Sequence, residues 1–314
     1  MLVNLVPEFF AVLAAPDPTA AYHEYLDRHK PVLYSYWRNY VLDPSTPHAE
    51  QVIAAALRAN RADLERLLQD VDVAAIADDA LQRSLEQCEA DCPVDLYLTV
   101  GVGAANACEL VVGGRGIALV CLEHFTGRAN PQTYGMGLAP HLLALWIAHE
   151  VAHAIRYTSP TSRADIKRLV ADLRGHYDFW DTGSRSSLRE LLVNEGAAVA
   201  AAQVVAPGFE PWEYFGYTRR QYRRLRELDA FLRRTATPLL DESGLGLRLR
   251  FLSGGMSPAA RLMGGKVLPE RAGYYLGLRL VETYLGERGL ASTLRAAAVE
   301  FKTADERSLG IQSA

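Results

Sequence analysis

Apolar residues recur along this chain at two spacings. The run His141–Tyr157 is apolar and helix-forming, holds no breaker, and follows Pro140, where a helix commonly starts. It predicts a helix over 137–157. Ser187 opens a second run of helical period that ends at Val204, predicting a helix over 185–205. Apolar residues return at helical spacing from Leu276 to Leu285, predicting a helix over 268–287, with another over 290–303. Upstream, helices are expected at 20–39, 47–69 and 73–88, and further on at 161–175 and 218–236. Two segments read differently. Val94–Val100 alternates and is rich in strand formers, and Gly116–Glu123 is a short apolar run between glycine-containing turns. Gly101-Val-Gly103 lacks the third glycine of a dinucleotide fingerprint, since Asn106 stands there, and reads as a turn. Asp241–Met256, rich in Gly and Ser, reads as a loop. Tyr177–Gly183 reads as an aromatic loop between helices.

The fold class expected from this pattern is α+β and mostly helical. Residues 1–92 read as an N-terminal helical cap, set against a second part over 93–314, unless the two form one compact unit. The 314 residues, 49% apolar, permit a sizeable core. The formal net charge is −4, with acids and bases interspersed. The arginine run over 219–226 therefore reads as a solvated helix face, and no nucleic-acid partner is expected. No run is apolar for long enough to span a membrane. The N-terminal apolar stretch has no early Lys or Arg and is interrupted by Pro7 and Glu8, so it reads as a folded segment and not as a signal peptide. Four cysteines, Cys88, Cys92, Cys108 and Cys121, are too few for a disulfide scaffold and point to reduced thiols and a cytoplasmic location.

The chemistry concentrates at His149-Glu150-Val151-Ala152-His153. Residues four apart on a helix share a face, so both imidazoles can reach one Zn²⁺. Glu150, next to the first histidine, is placed to act as general base toward a metal-activated water. Catalytic zinc usually takes three protein ligands. The metzincin extension that would supply the third is absent, because Arg156 and Ser159 occupy its positions. Glu195 is the candidate instead. It lies mid-helix, followed by Gly196, Ala197 and Ala198, which let another helix approach closely. Glu190 is the competitor, but it sits nearer the helix start, where the helix dipole already favours an acid. Gly273 and Gly277 give the late helix a flat face of its own.

HEVAH followed by Asn194-Glu195-Gly196-Ala197-Ala198 resembles the gluzincin plan. Together with Gly273-Tyr274-Tyr275-Leu276-Gly277 it resembles a poorly characterised bacterial group of predicted zinc-dependent proteases, over about residues 94–290. The resemblance implies a zincin-like core with a small mixed sheet beside the HExxH helix. It implies one catalytic zinc on His149, His153 and Glu195, Glu150 as base in peptide-bond hydrolysis, and a peptide or protein substrate. It points to Tyr274 as the oxyanion donor, with Tyr275 as the alternative. It also implies that the last strand borders the cleft, where an extended peptide could add to the edge. Thermolysin-like proteins carry an aspartate four residues after the glutamate. Val199 stands there, so that orienting partner is missing. Arg271 could meet a substrate carboxylate or pair with Glu270. Two other readings stay open, a zinc amidohydrolase or esterase acting on small molecules, and a metal-containing binding or regulatory module.

Overall fold

The protein is described by a computed structural model over residues 1–302. Its helices in chain order are α1 (Val6–Leu13), α2 (Pro18–Arg28), α3 (Lys30–Tyr36), α4 (Pro47–Arg58), α5 (Ala62–Asp70), α6 (Val73–Gln87) and α7 (Leu143–Thr158). They continue with α8 (Asp165–Asp172), α9 (Phe179–Arg185), α10 (Leu188–Val205), α11 (Arg219–Glu227), α12 (Asp229–Ala236), α13 (Leu245–Leu252) and α14 (Ala272–Arg295). The principal sheet has four strands, β1 (Leu2–Asn4), β2 (Val94–Thr99), β3 (Ala107–Val112) and β4 (Arg115–Cys121), in the order β1-β2-β4-β3. β1 and β2 run parallel, as do β2 and β4, while β3 returns antiparallel to β4. The architecture is α+β and mostly helical, with a small mixed sheet.

The sheet positions α7. Gly116 on β4 lies close against the helix, because a Cβ there would lie 3.0 Å from Ala154 and Thr158 of α7. Leu96, Leu98, Ala118, Leu119 and Val120 are wholly buried, as are Leu145, Ile147 and Val151 of the helix. One apolar cluster runs from Leu5 to Phe301 and includes residues on both sides of position 92. Strand β1 likewise joins the sheet that supports α7.

Helix α10 is clamped against α14 by the glycines that the sequence singles out. A Cβ on Gly196 would lie 2.1 Å from the carbonyl carbon of Gly277, and one on Gly277 would lie 2.0 Å from the oxygen of Leu192. These are backbone contacts that no side-chain rotation relieves. Gly196→Ala should therefore cost about 1–3 kcal/mol or more through overpacking. A melting temperature equal to wild type would show that the two helices do not need this contact.

Several elements differ from their sequence patterns. The helix expected over 20–39 breaks at His29 ahead of Pro31, and Trp37–Val41 forms a wider π-type turn. The helix expected over 47–69 is interrupted between Arg58 and Ala62, and the one over 218–236 at Leu228. The aromatic stretch after Tyr177 is helical, as α9, with Asp178 capping it through the Trp180 and Asp181 amides. The Gly/Ser-rich loop contains α13, which is held by contacts made elsewhere in the chain. Phe251 is wholly buried, and the Arg248 guanidinium lies 3.6 Å from the Phe179 ring centroid. The two last helices are continuous except at Gly289, whose φ of 77° breaks the helical path. Position 303, where the last of them was expected to end, lies outside the described residues.

The Gly101–Gly103 segment is a turn whose amides serve an internal acid. The N–H groups of Gly101 and Gly103 donate to Glu123 at 2.9 and 3.2 Å. The sheet edge expected to receive a peptide is already occupied. β4 is an interior strand, and the edge on its side of the sheet is β3. The Val111 oxygen accepts from the Tyr177 amide at 3.0 Å, and the Glu109 oxygen accepts from the Tyr40 hydroxyl at 3.0 Å. A substrate strand pairing there would have to displace both. Among the described residues no helix is long and apolar enough to cross a membrane. The four cysteines are free thiols.

Candidate metal centre

Two packed helices build the site. α7 presents His149 and His153 one turn apart on the face turned toward α10, and α10 presents Glu195 from its middle. The Nε2 atoms of the two imidazoles lie 3.1 Å apart. Glu195 Oε2 lies 3.4 Å from His149 Nε2 and 3.5 Å from His153 Nε2. Three donor atoms thus form a nearly equilateral triangle. A tetrahedral ion with bonds of about 2.0–2.1 Å requires its ligand atoms to be about 3.3 Å apart. Glu195 Oε2 is buried and has no hydrogen-bond partner of good geometry among the described residues. The donor set, two neutral imidazoles and a carboxylate, suits zinc.

All of these groups are screened from solvent. His149 is 1% exposed, His153 2%, Glu150 3% and Glu195 8%. Burial and proximity set their protonation. Burial alone would push Glu195 upward, but the charge of His153 and the closeness of both imidazoles hold it well below the usual carboxylate range. Burial works against a charge on His153, yet Glu195, with Glu109 and Glu150 behind it, outweighs burial and carries His153 to about 9. His149 moves the other way. Burial lowers it, the nearby Glu195 carboxylate opposes this, and the charge on His153 lowers it further. Two facing Nε2 atoms 3.1 Å apart cannot both carry a proton, so without metal one proton lies between them beside one carboxylate. A dication would replace that proton.

Glu150 is held close to this triangle. Burial raises its pKa well above the ordinary value, with His153 opposing and the carboxylates of Glu109 and Glu195 adding to the rise. Its Oε2 is buried with no hydrogen-bond partner among the described residues. Glu150, Glu109 and His153 bring ligand-type atoms within 4.8 Å of one another.

Glu109 is the polar residue that sequence reasoning passed over. It accepts hydrogen bonds from Tyr40 at 3.0 Å and Tyr157 at 3.2 Å. Tyr157 in turn accepts from the amide of Asn194 at 2.8 Å, which ties the network to the neighbour of Glu195. On its other side Arg248 donates to the Tyr177 hydroxyl at 2.8 Å. The one signal in the sequence was an acid inside the strand-forming run Ala107-Cys-Glu-Leu-Val-Val112. The Nδ1 atoms of His149 and His153 have no partner among the described residues, so Val199 is not replaced by another orienting carboxylate at hydrogen-bond distance.

The competing residues separate by their partners. Glu190 is wholly buried and accepts from Arg156 at 2.9 Å, an ion pair between α10 and α7. The same arginine donates to the backbone oxygens of Leu294 and Ala296 at 3.2 and 3.0 Å. Arg156, standing where a metzincin would have glycine, thus ties the ends of three helices together. Tyr274 and Tyr275 point to different places. The Tyr274 ring lies parallel to the His149 imidazole, at 11° and 5.8 Å between centroids. Tyr275 turns away, donates to Asp229 at 3.2 Å, and packs among Phe215 and Tyr222. Burial, with the charge of Glu195 adding to it and Arg271 opposing, pushes the Tyr274 phenol well above its ordinary value, so it stays a proton donor. Trp146 closes another side, 5.3 Å from the His149 ring. Cys88 and Cys92 belong to no cluster of three or more metal-ligating side chains among the described residues.

Residues 173–304 match the model of a family described as "Predicted Zn-dependent protease (DUF2268)". The match spans less than half of the chain. It takes in Glu195 and Tyr274, which the structure brings to the histidines, and it begins after HEVAH. Over that segment the chain is similar to proteins assigned to zinc-dependent proteolysis. No curated protein and no solved structure matches the chain.

Proposed function

We propose that the protein is a gluzincin-type metallopeptidase in which His149, His153 and Glu195 hold zinc. The observation that carries this is the triangle of donor atoms with edges of 3.1, 3.4 and 3.5 Å, beside a carboxylate one residue from the first histidine. Zinc bound there would supply Lewis acidity, polarising a carbonyl and bringing water's pKa toward neutrality. Glu150 takes a proton from the attacking water as its oxygen bonds to the peptide carbonyl carbon. When the C–N bond breaks, Glu150 gives that proton to the departing amine. Burial and the neighbouring carboxylates raise its pKa, which favours its taking up the proton. The Tyr274 phenol donates a hydrogen bond to the carbonyl oxygen as negative charge develops on it. Trp146 and Tyr274 flank His149 and help keep bulk water from these transfers.

The test is elemental analysis of the purified full chain followed by hydrolysis of an unfolded protein substrate. The expected result is about one zinc per chain, loss of cleavage on chelation, and recovery on adding zinc. Cleavage that persists after the metal is stripped would show that this triangle does not drive the reaction.

A further inference from the structure

The two tyrosines at the start of α14 are preceded by an arginine whose surroundings are those of an anion reader. Arg271 has the backbone φ of 52° seldom seen outside glycine, and its carbonyl is pinned there. The Tyr217 hydroxyl donates to that oxygen at 2.5 Å and the Tyr274 amide at 3.0 Å. Its guanidinium sits 5.7 Å from the ring centroids of both Tyr217 and Tyr274. Tyr274 is itself the ring that lies against His149. One aromatic ring therefore separates this cation from the candidate metal ligand.

Arg271 has no carboxylate within ion-pair distance among the described residues. Its sequence neighbour Glu270 turns to Arg261 instead, at 3.4 Å. Its Nη2 donates to the Gly216 oxygen at 2.9 Å, while Nε and Nη1 have no protein acceptor among the described residues. A guanidinium carries its N–H donors on a planar fork, and the two nitrogens without a protein acceptor can offer part of that fork to a ligand. A carboxylate matches that edge with two parallel hydrogen bonds. Exposed arginines continue the positive character nearby. Arg219 and Arg220 begin α11, just after Tyr217, and have no ion-pair partner among the described residues.

We infer that Arg271 reads a carboxylate on the substrate, close to the bond that is cut. This rests on the hydrolase reading and narrows it to acidic peptides or to chains cut near a free C-terminus. Two ring contacts separate the guanidinium from the His149 imidazole, a distance that about three residues of extended chain span. The carboxylate therefore belongs to a residue within a few positions of the scissile bond. It comes either from an acidic side chain or from the terminal α-carboxyl.

The experiment measures binding and cleavage separately. Zinc-loaded Glu150→Gln protein is titrated with N-acetylated hexapeptides of one sequence, ending in a free carboxylate or in an amide. A second pair carries one internal Glu or Gln. The expected result is that one charged peptide binds about ten- to a hundred-fold tighter than its neutral partner, the range for a charged hydrogen-bonded contact. The pair that shows the difference identifies the source of the carboxylate. Adding Arg271→Asn, a residue that tolerates the same backbone conformation, brings the ratio close to one. Arg271→Lys gives an intermediate ratio, because it keeps the charge and loses the fork. Equal affinities for charged and neutral peptides, or a preference that survives Arg271→Asn, would overturn the inference. Wild-type protein that shows the preference and yet cleaves nothing would instead sink the hydrolase reading and leave the role of Arg271 in place.

Discussion

Glu150→Gln should abolish peptide hydrolysis, lowering kcat by about 10²–10⁴-fold, the usual contribution of a positioned acid–base group. It should leave metal content unchanged. Gln has the shape of Glu and keeps a hydrogen-bonding oxygen, but it cannot take a proton from water or return one to an amine. The structure adds a second expectation. Glu150 is 3% exposed, lies near the carboxylates of Glu109 and Glu195, and one of its oxygens is unpartnered. Burying a carboxyl in that setting opposes folding, because burial and the neighbouring acids disfavour its charged form. Removing it should leave the melting temperature unchanged or raise it, the reverse of what loss of a structural ion pair does. Stability tends to be sacrificed where a site is built for chemistry. A Gln variant that is destabilised and still turns over would place Glu150 in the architecture and not in the reaction.

What the sequence disclosed here follows the range of the interactions involved. His149, Glu150 and His153 are legible because one helical turn sets their geometry. Glu195 is legible because the small residues after it announce a close helix contact, although the sequence alone left Glu190 in competition. What sets them apart is a partner 34 positions away in sequence, since Arg156 pairs with Glu190. Glu109 was not legible for the same reason. Its strand is short, and its partners Tyr40 and Tyr157 lie 69 and 48 positions away. Helix α13 was read as a loop because its start is glycine-rich, and its fixed points, Tyr177 and Phe179, lie in another segment. Strand β1 has three residues and no period of its own, and it exists because β2 offers it an edge. The motifs of the candidate site were therefore local, and the shell packed around them was not.

Glu195→Ala should cost most of the metal. Structural zinc in small domains is bound by about 10–16 kcal/mol over four ligands, so one ligand is worth roughly a hundred- to a thousand-fold in affinity. Glu190→Ala is the informative contrast. It leaves Arg156 buried without its partner and should destabilise the fold by about 3–5 kcal/mol, while the metal-to-protein ratio stays at wild type. The two variants should also part in their dependence on pH once metal is removed. Glu195 titrates well below its ordinary value near 4.5, so its contribution is present above that value and is lost as pH falls through the lowered one. His153 titrates at about 9 against an ordinary 6.5, so its contribution is complete below 6.5 and is lost as pH rises through 9. Chelated wild type should then lose melting temperature between pH 6.5 and 9, and Glu195→Ala should show much less of that slope. Zinc must displace the His153 proton, so apparent zinc affinity of the wild type should climb across the same interval. Calorimetry in two buffers of different ionisation heat, at pH 7.5, reads that proton directly. A titration in which no proton leaves, together with full zinc in Glu195→Ala, would move the third ligand away from α10 and dissolve the link between the two helices and the reaction.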